Sequence, residues 1–203
     1  MIYLDYSANT PADPAVLEAF CRTEQTYPGN PNSSHCAGQA ARQEMARVTE
    51  SIAGLLGVRP GEIIYTSGAS ESNNLAIKGI AQAARHTGRH IISTALEHSS
   101  VGGSLSALQA QGWEIDLVDI NRDGAIDLEQ LGSLLRKDTV LVSVCAVDSE
   151  LGTVQPIRQI GALLKNYPNC RLHVDATQAV GKIPWSLCGA DTVSIAPHTG
   201  GSA

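Results

Sequence analysis

The residues best suited to chemistry follow a short apolar run that ends at Asp175. This acid closes a predicted buried strand over 171–175, and a hydroxyl (Thr177) and an amide (Gln178) come soon after it. Ligands of open α/β sheets bind beyond the carboxyl ends of the strands, so this strand would present Asp175 to a ligand. Asp is also a common turn residue, and a cap for the turn after the strand is the structural alternative.

Four other apolar runs, at 62–66, 90–94, 140–147 and 191–195, also end in polar clusters. The clusters that follow them are Ser67 to Asn74, Glu97 to Ser99, Asp148 to Glu150, and His198 with Thr199. The carboxyl ends of parallel strands lie at one edge of their sheet. We therefore expect these clusters and Asp175 to form one shared site.

The loop over 67–74 has the features of an anion site. It contains Gly68, which permits close approach of a ligand, and it leads into a helical pattern with apolar residues at Leu75, Ile77 and Ile80. Backbone N–H groups at a helix start attract anions such as phosphate. Ser70 is also a good N-cap residue, and a capped helix that binds nothing is the alternative.

Six motifs occur in order along most of the chain: MIYLDYSANTP from residue 1, GNPNSSH from 29, TSGASESNNLAIKG from 66, LEH from 96, ELG from 150 with Gln155, and HVDATQAVGK from 173. Together they resemble the large domain of cysteine desulfurases in the class V aminotransferase family. The resemblance implies a fold type I enzyme that depends on pyridoxal 5′-phosphate (PLP). Such an enzyme takes sulfur from L-cysteine, leaves alanine and passes the sulfur on through a persulfide. The resemblance also implies a homodimer, a sulfur-acceptor or scaffold partner, and iron–sulfur cluster assembly.

The resemblance gives individual residues a role. Asp175 resembles the acid that keeps the pyridine nitrogen of the cofactor protonated, so that the ring can withdraw electrons. His98 resembles the catalytic imidazole stacked on the ring, and Gln178 resembles the amide that contacts the phenolic oxygen. Three residues match the phosphate cradle through a backbone N–H, a hydroxyl and an imidazole: Ala69, Ser70 and His198. Each also has an ordinary alternative, as a surface or core histidine or as a turn cap.

Two substitutions depart from the family pattern. The family places its Schiff-base lysine directly after the histidine that matches His198, and this chain has Thr199 there. Threonine has no amine to add to the aldehyde of the cofactor, and Lys182 matches a family position outside the site. Asp148 stands where the family usually has an asparagine that touches the phenolate oxygen, and two negative oxygens repel each other unless one is protonated. We expect PLP to be absent or held without a covalent bond.

The family continues for about as many residues again. That second half supplies an arginine for the substrate carboxylate, a mobile loop with the persulfide cysteine, and a small C-terminal domain. This chain ends in Gly-Gly-Ser-Ala, which could be an altered glycine-rich segment of the family, a linker or a frameshifted tail. We expect an arm and first helix over 1–35 and an incomplete PLP-binding large domain over 36–203. This N-terminal half should be inactive alone.

Composition limits the classes of function. With 203 residues, 43% of them hydrophobic, the chain can bury a sizeable core, and no apolar run is long enough for a membrane span. A net charge of −6 without a basic cluster disfavours nucleic acid and anionic membranes as partners. The five cysteines are widely spaced without a metal-ligand pattern. We expect free thiols in a reducing cytoplasm and no metal site.

The alternation of helical and strand patterns predicts an α/β fold with three layers, in which helices flank a mainly parallel sheet as in the large domain of PLP-dependent transferases. Helices are predicted at 14–26, 37–57, 71–86, 99–111, 127–137 and 157–167. Strands are predicted near 62–66, 90–94, 115–119, 140–146, 171–175 and 191–195.

Three classes of function remain open from the sequence. The first is the PLP-binding half of a desulfurase-like enzyme, or of another class V aminotransferase or a selenocysteine lyase. The second is a non-catalytic relative that acts as a binding or assembly protein. The third is a nicotinamide-binding domain, which fits the alternation but lacks the Gly-x-Gly-x-x-Gly motif after the first strand and an acid at the end of the next. A lysine near position 199 in a longer chain would distinguish the first from the second.

Overall fold

Helices and strands alternate in the computed structural model, which describes residues 2–184, 186 and 189–197. The helices are α1 (Pro14–Thr26), α2 (Cys36–Leu56), α3 (Ala69–Ala84), α4 (Ser99–Gln109), α5 (Leu128–Leu134) and α6 (Ile157–Leu164). The strands are β1 (His90–Thr94), β2 (Glu114–Val118), β3 (Thr139–Cys145), β4 (Arg171–Asp175) and β5 (Thr192–Ser194). The chain divides into two compact units, one of residues 2–10 and 66–197 and the other of Pro11–Tyr65. The predicted functional division at residue 36 stays a prediction.

The five strands form one parallel sheet in the order β2-β1-β3-β4-β5. Every residue of β1 and β3 is buried, because strands in the middle of a parallel sheet are covered on both faces. α4, α5 and α6 connect successive strands of this sheet. The predicted α/β class with a parallel sheet is therefore confirmed.

Helices cover both faces of the sheet. α3 and α4 pack against each other, and Ile77 of α3 and Val101 of α4 join Ile91 in one apolar cluster. α5 and α6 contribute Leu131 and Ile160 to a second cluster that contains Ile92. Ile91 and Ile92 serve opposite clusters because successive side chains of a strand point to opposite faces. The fold thus has the three predicted layers.

The turn into β1 requires a glycine. A Cβ atom on Gly88 would overlap the backbone oxygen of Asp138, and the backbone N–H of His90 donates to that same oxygen at 3.4 Å. This close approach brings the start of β1 beside the start of β3.

The Pro11–Tyr65 unit contains α1, α2 and a 3-10 turn over Pro60–Glu62. Asp13 caps α1 by accepting a hydrogen bond from the backbone N–H of Ala15 at 2.7 Å, which explains the predicted start of this helix. α1 buries none of its residues, and Val16, Leu17 and Phe20 are each more than half exposed. This helix therefore presents an apolar surface to solvent.

Two predicted elements differ from the structure. The predicted strand at 62–66 is wrong: no described strand pairs with this segment, and Ile64 and Tyr65 are 71% and 56% exposed. An apolar run with strand propensity forms a strand only where another strand can pair with it. The second is the helix predicted at 127–137, which as α5 ends already at Leu134. The chain turns there, and the backbone N–H of Arg136 donates to Thr139 Oγ1 at 2.8 Å.

Candidate functional site

The carboxyl ends of three neighbouring strands carry polar residues that the sequence singled out. β1, β3 and β4 are adjacent and parallel, and Cys145 at the end of β3 pairs with Asp175 at the end of β4. His98 follows β1, Asp148 follows β3, and Asp175 closes β4. The topology therefore brings these residues to one edge of the sheet, as parallel strands require.

Asp175 is buried and held by two donors. Its Oδ2 accepts a hydrogen bond from Asn73 Nδ2 at 2.7 Å, and its Oδ1 accepts one from the backbone N–H of Thr177 at 3.0 Å. The second bond is the turn cap that the sequence offered as the alternative for this acid. The first bond comes from another element, α3, so Asp175 has a role beyond capping its own turn.

The start of α3 contains two residues of the predicted anion cradle. Gly68 is the N-cap residue, and because it has no side chain it leaves the first N–H groups of the helix without a side-chain cap. Ala69 and Ser70 are the first two helical residues. The first turn also contains Glu71, whose carboxylate accepts hydrogen bonds from the backbone N–H and hydroxyl of Ser67 at 2.6 and 2.7 Å. These bonds lower the pKa of Glu71, so this carboxylate is ionised and tied to the loop before the helix.

His98 is the N-cap of α4 and is exposed to solvent. Its Nδ1 accepts a hydrogen bond from the backbone N–H of Ser100 at 3.2 Å and lies 2.8 Å from the Ser100 hydroxyl. The cap occupies only one ring nitrogen. The ring is therefore fixed on one side and open on the other.

The side chain of Gln178 forms hydrogen bonds with two other residues of the chain. Its Nε2 donates to the backbone oxygen of Ser7 at 2.8 Å, and its Oε1 accepts from Lys182 Nζ at 2.6 Å. The second hydrogen of Nε2 has no partner in these two contacts and could be donated to a cofactor oxygen. Partial burial lowers the pKa of the Lys182 amine.

Asp148 is buried and caps its own loop. Its Oδ1 accepts hydrogen bonds from the backbone N–H groups of Glu150 and Leu151. These contacts satisfy one carboxylate oxygen without a ligand. Its predicted role toward a cofactor stays a prediction, as do those of the other site residues.

Glu97 is a partly buried acid of the expected shared site, and the sequence assigned it no role of its own. Its Oε1 accepts from the Thr94 hydroxyl at 2.8 Å and from the backbone N–H of Cys145 at 2.9 Å, whereas its Oε2 is buried without a hydrogen-bond partner. Burial raises the pKa of Glu97 to about 7, and the negative charge of Asp175 adds to the increase. This carboxyl group therefore retains a proton through mildly acidic pH.

Asn73, from the expected Ser67 to Asn74 cluster, and His173 of β4 are two further buried residues to which the sequence assigned no role. Asn73 lies one helical turn before Ile77 on the buried face of α3, and a buried amide on an apolar face implies specific partners. That position was the only available signal. His198 and Thr199, which the sequence places in the cradle and at the lysine position, lie outside the described residues.

The buried cysteines are poor candidates for sulfur chemistry. Cys145 and Cys170 are free thiols, and burial raises the pKa of both, that of Cys170 to about 12. The thiolate is the reactive form, so these groups are inert at neutral pH. Cys21 and Cys36 are free and exposed. The described residues contain no cluster of three metal-ligating side chains, and none of their helices is long and apolar enough to cross a membrane.

Curated proteins of known family resemble this chain over nearly all of its length. It is 42% identical over 201 residues to a NifS/IcsS protein homolog of Lactobacillus delbrueckii subsp. bulgaricus, covering 98% of this chain and 52% of that protein. It is 42% identical over 200 residues to a cysteine desulfurase of Homo sapiens, covering 97% of this chain and 44% of that protein. The chain thus spans about half the length of the curated relatives it matches.

Solved structures give the same result. A NifS-like protein superimposes with a TM-score of 0.95 at 37% identity, covering 98% of this chain and 55% of its own. A structure described as SspA in complex with cysteine superimposes with a TM-score of 0.91 at 34% identity, covering 97% of this chain and 57% of its own. A family model, Aminotransferase class-V, matches residues 2–198. Because that model spans almost the whole chain, the protein belongs to the class-V aminotransferase family and resembles its cysteine desulfurases.

Proposed function

We propose that this chain is the cofactor-binding half of a PLP-dependent cysteine desulfurase that acts on L-cysteine. The observation that carries the proposal is the pair of hydrogen bonds from Asn73 in α3, a helix whose start has no side-chain cap. They go to Asp175 at the end of β4 and to Ser100, which follows the His98 cap of α4. The relative named cysteine desulfurase and the similar structure described as a complex with cysteine support this substrate.

The donors of the site suit the two polar ends of PLP. The free N–H groups at the start of α3, together with the Ser70 hydroxyl, suit the phosphate group. Asp175, a buried acid with two hydrogen-bond donors, suits the pyridine nitrogen at the other end. When bound, PLP would supply an electron-withdrawing ring that stabilises a carbanion. We assign His98 to the ring face, Gln178 and Asp148 to its phenolic oxygen, and His198 to the phosphate, on the family resemblance alone.

We further propose a cytoplasmic homodimer that passes sulfur to an acceptor or scaffold protein for iron–sulfur cluster assembly. The exposed apolar residues of α1 and the match to NifS and IscS relatives support this proposal. A dimer would cover apolar surface of a kind that monomeric proteins rarely expose.

A non-catalytic relative is the second candidate, and Thr199 favours it. A hydroxyl cannot replace the amine that the family uses to join the cofactor covalently. In that case the chain would hold PLP or phosphate reversibly and would release no sulfur from L-cysteine. The two candidates share the binding site and differ only in chemistry.

Titration of the protein with PLP, followed by absorbance, tests the shared site. Ser70→Ala should weaken binding by about 0.5–1.5 kcal/mol, the usual contribution of one hydrogen bond. Ser106→Ala is the matched control, because Ser106 is an exposed serine of α4 outside the site. Failure of the unmodified protein to bind PLP would refute the proposal, and equal affinity in the Ser70 variant would refute the cradle. Alanine and sulfide release by a longer chain with a lysine near position 199, from L-cysteine compared with L-selenocysteine, then separates the desulfurase from the non-catalytic relative and from a selenocysteine lyase.

A further inference from the structure

We propose that Asn73 is a positioning residue, whose single buried amide sets both the carboxylate of Asp175 and the proton position on His98. The inference deepens the proposed function and rests on it only for the identity of the ligand. α3 would then have two roles: its exposed N-terminus would bind the phosphate group, and its Asn73 would position Asp175 and His98.

Both hydrogens and one lone pair of the Asn73 side chain are used inside the protein. Asn73 is fully buried, and its Oδ1 lies 3.0 Å from Nε2 of His173. Its Nδ2 donates to Asp175 Oδ2 at 2.7 Å and to Ser100 Oγ at 3.0 Å. An amide nitrogen has two hydrogens, so these two acceptors occupy both of them.

The orientation of this amide follows from its neighbours. Burial lowers the pKa of His173 to about 4, so its ring is neutral near pH 7 and carries one hydrogen. The carboxylate of Asp175 requires Nδ2 of Asn73 to face it, so Oδ1 faces His173 and accepts from Nε2. Nδ1 of His173 then carries no hydrogen and accepts from the Thr192 hydroxyl at 2.9 Å. The reversed amide would place its oxygen 2.7 Å from the carboxylate oxygen of Asp175, which is repulsive.

The same amide reinforces, through Ser100, the choice of the His98 nitrogen that carries the hydrogen. Because Ser100 Oγ accepts from Asn73, its own proton is free to point to His98 Nδ1 at 2.8 Å. The backbone N–H of Ser100 donates to the same nitrogen at 3.2 Å. A nitrogen that accepts two hydrogen bonds carries no hydrogen, so the neutral ring is protonated at Nε2.

This arrangement has a direct chemical consequence. Any proton that His98 gives or takes moves at Nε2, on the side of the ring away from the helix cap. Successive hydrogen bonds in such a chain orient one another, so the carboxylate of Asp175 and the ring of His98 are positioned together. The chain of bonds starts at Thr192 in β5, passes through β4 and α3, and ends at the start of α4.

Nitrogen-15 NMR of the histidine rings tests the inference without any cofactor. At about pH 9, where an ordinary imidazole is neutral, His98 and His173 should each show the hydrogen on Nε2. Asn73→Ala should shift His98 toward the mixture of both tautomers seen in free peptides, because the Ser100 hydroxyl loses its fixed orientation. Thr139→Val is the matched control: it removes a hydroxyl that lies 2.7 Å from the buried ring of His90, at the other end of the strands.

A hydrogen on Nδ1 of His98 in the unmodified protein, or an unchanged His98 signal in the Asn73 variant, would overturn the proposal. If Asn73→Ala does not fold, Ser100→Ala removes the hydroxyl that connects Asn73 to His98 and should cause the same shift. PLP affinity should fall at least tenfold in Asn73→Ala and stay unchanged in Thr139→Val. The predicted tautomers without any PLP binding by the unmodified protein would refute the proposed function and leave this inference standing.

Discussion

Two groups of the site, the partly buried Glu97 and the buried His173, should make stability depend on pH in opposite directions. The pKa of Glu97 rises from 4.5 to about 7 in the folded protein, mainly because burial disfavours its charged form. Between these values the folded protein holds a proton that the unfolded chain has lost. The stabilising contribution of Glu97 is therefore complete below pH 4.5 and is lost as the pH rises to about 7.

His173 has the opposite sign. Burial lowers its pKa from 6.5 to about 4, so the unfolded chain holds a proton that the folded protein lacks between these values. Its contribution is complete above pH 6.5 and is lost as the pH falls to about 4. Each shift corresponds to roughly 3 kcal/mol, at about 1.4 kcal/mol per pH unit. Between pH 4.5 and 6.5 the two slopes cancel, and the unmodified protein should show little pH dependence from this pair.

Glu97→Gln should remove the contribution of Glu97 and so reveal the opposite pH dependence of the free energy of unfolding that His173 contributes. Glutamine keeps an oxygen to accept from Thr94 and Cys145 but cannot ionise. Urea unfolding at several pH values gives the free energy of unfolding of both proteins. Relative to the unmodified protein, the variant should gain about 3 kcal/mol between pH 4.5 and 8. Glu24→Gln, at an exposed position of α1, is the control and should give a flat difference.

A flat difference for Glu97→Gln would refute the reasoning, because it would mean that Glu97 titrates alike in the folded and unfolded chains. A His173→Asn variant provides the complementary curve. Its unfolding free energy should fall, relative to the unmodified protein, as the pH rises from 4 to 6.5. The two variants together isolate the pH dependence that Glu97 and His173 contribute to the free energy of unfolding. All other titrating groups are the same in the unmodified protein and in both variants, so their contributions cancel in each difference.

Three further predictions concern other parts of the chain. Thr199→Lys should give a covalent pyridoxyl adduct by mass spectrometry after borohydride treatment with PLP; the same adduct on the unmodified chain would show that another lysine serves. Gly88→Ala should lower the free energy of unfolding by about 1–3 kcal/mol because its Cβ would overlap Asp138, whereas Gly103→Ala, with open space around it in α4, should raise it by about 0.5–1 kcal/mol. Phe20→Ser should reduce self-association in light scattering if the exposed face of α1 contacts a second subunit; an unchanged mass would exclude this face.

Local patterns predicted the fold well because the core strands are buried on both faces. The apolar runs at 90–94, 140–146 and 171–175 correspond to β1, β3 and β4, and the alternating helices left parallel pairing as the simplest connection. The run at 62–66 has the same composition and forms no strand. A sequence pattern indicates that a segment has strand propensity. Whether it forms a strand also depends on a neighbouring strand, which the pattern of the segment does not contain.

The location of the site was predictable, but its connections were not. Parallel strands bring their carboxyl ends together, so His98, Asp148 and Asp175 meet at one edge whatever their side chains contact. The bond from Asn73 to Asp175 joins residues 102 positions apart. Neither helical nor strand periodicity contains information on such a pair, and Asn73 looked like one polar residue among several at a helix start.

The charges of the site favour one cation in particular. Three acids lie at neighbouring strand ends, and each is stabilised by a different means. Glu97 keeps its proton because it is buried, and Asp148 accepts N–H groups of its own loop. Asp175 receives one amide and one backbone N–H, so its carboxylate is oriented but not paired with any cation of the described residues. A positively charged group would gain most beside Asp175, which is the position that the protonated pyridine nitrogen of PLP would take in the proposed function.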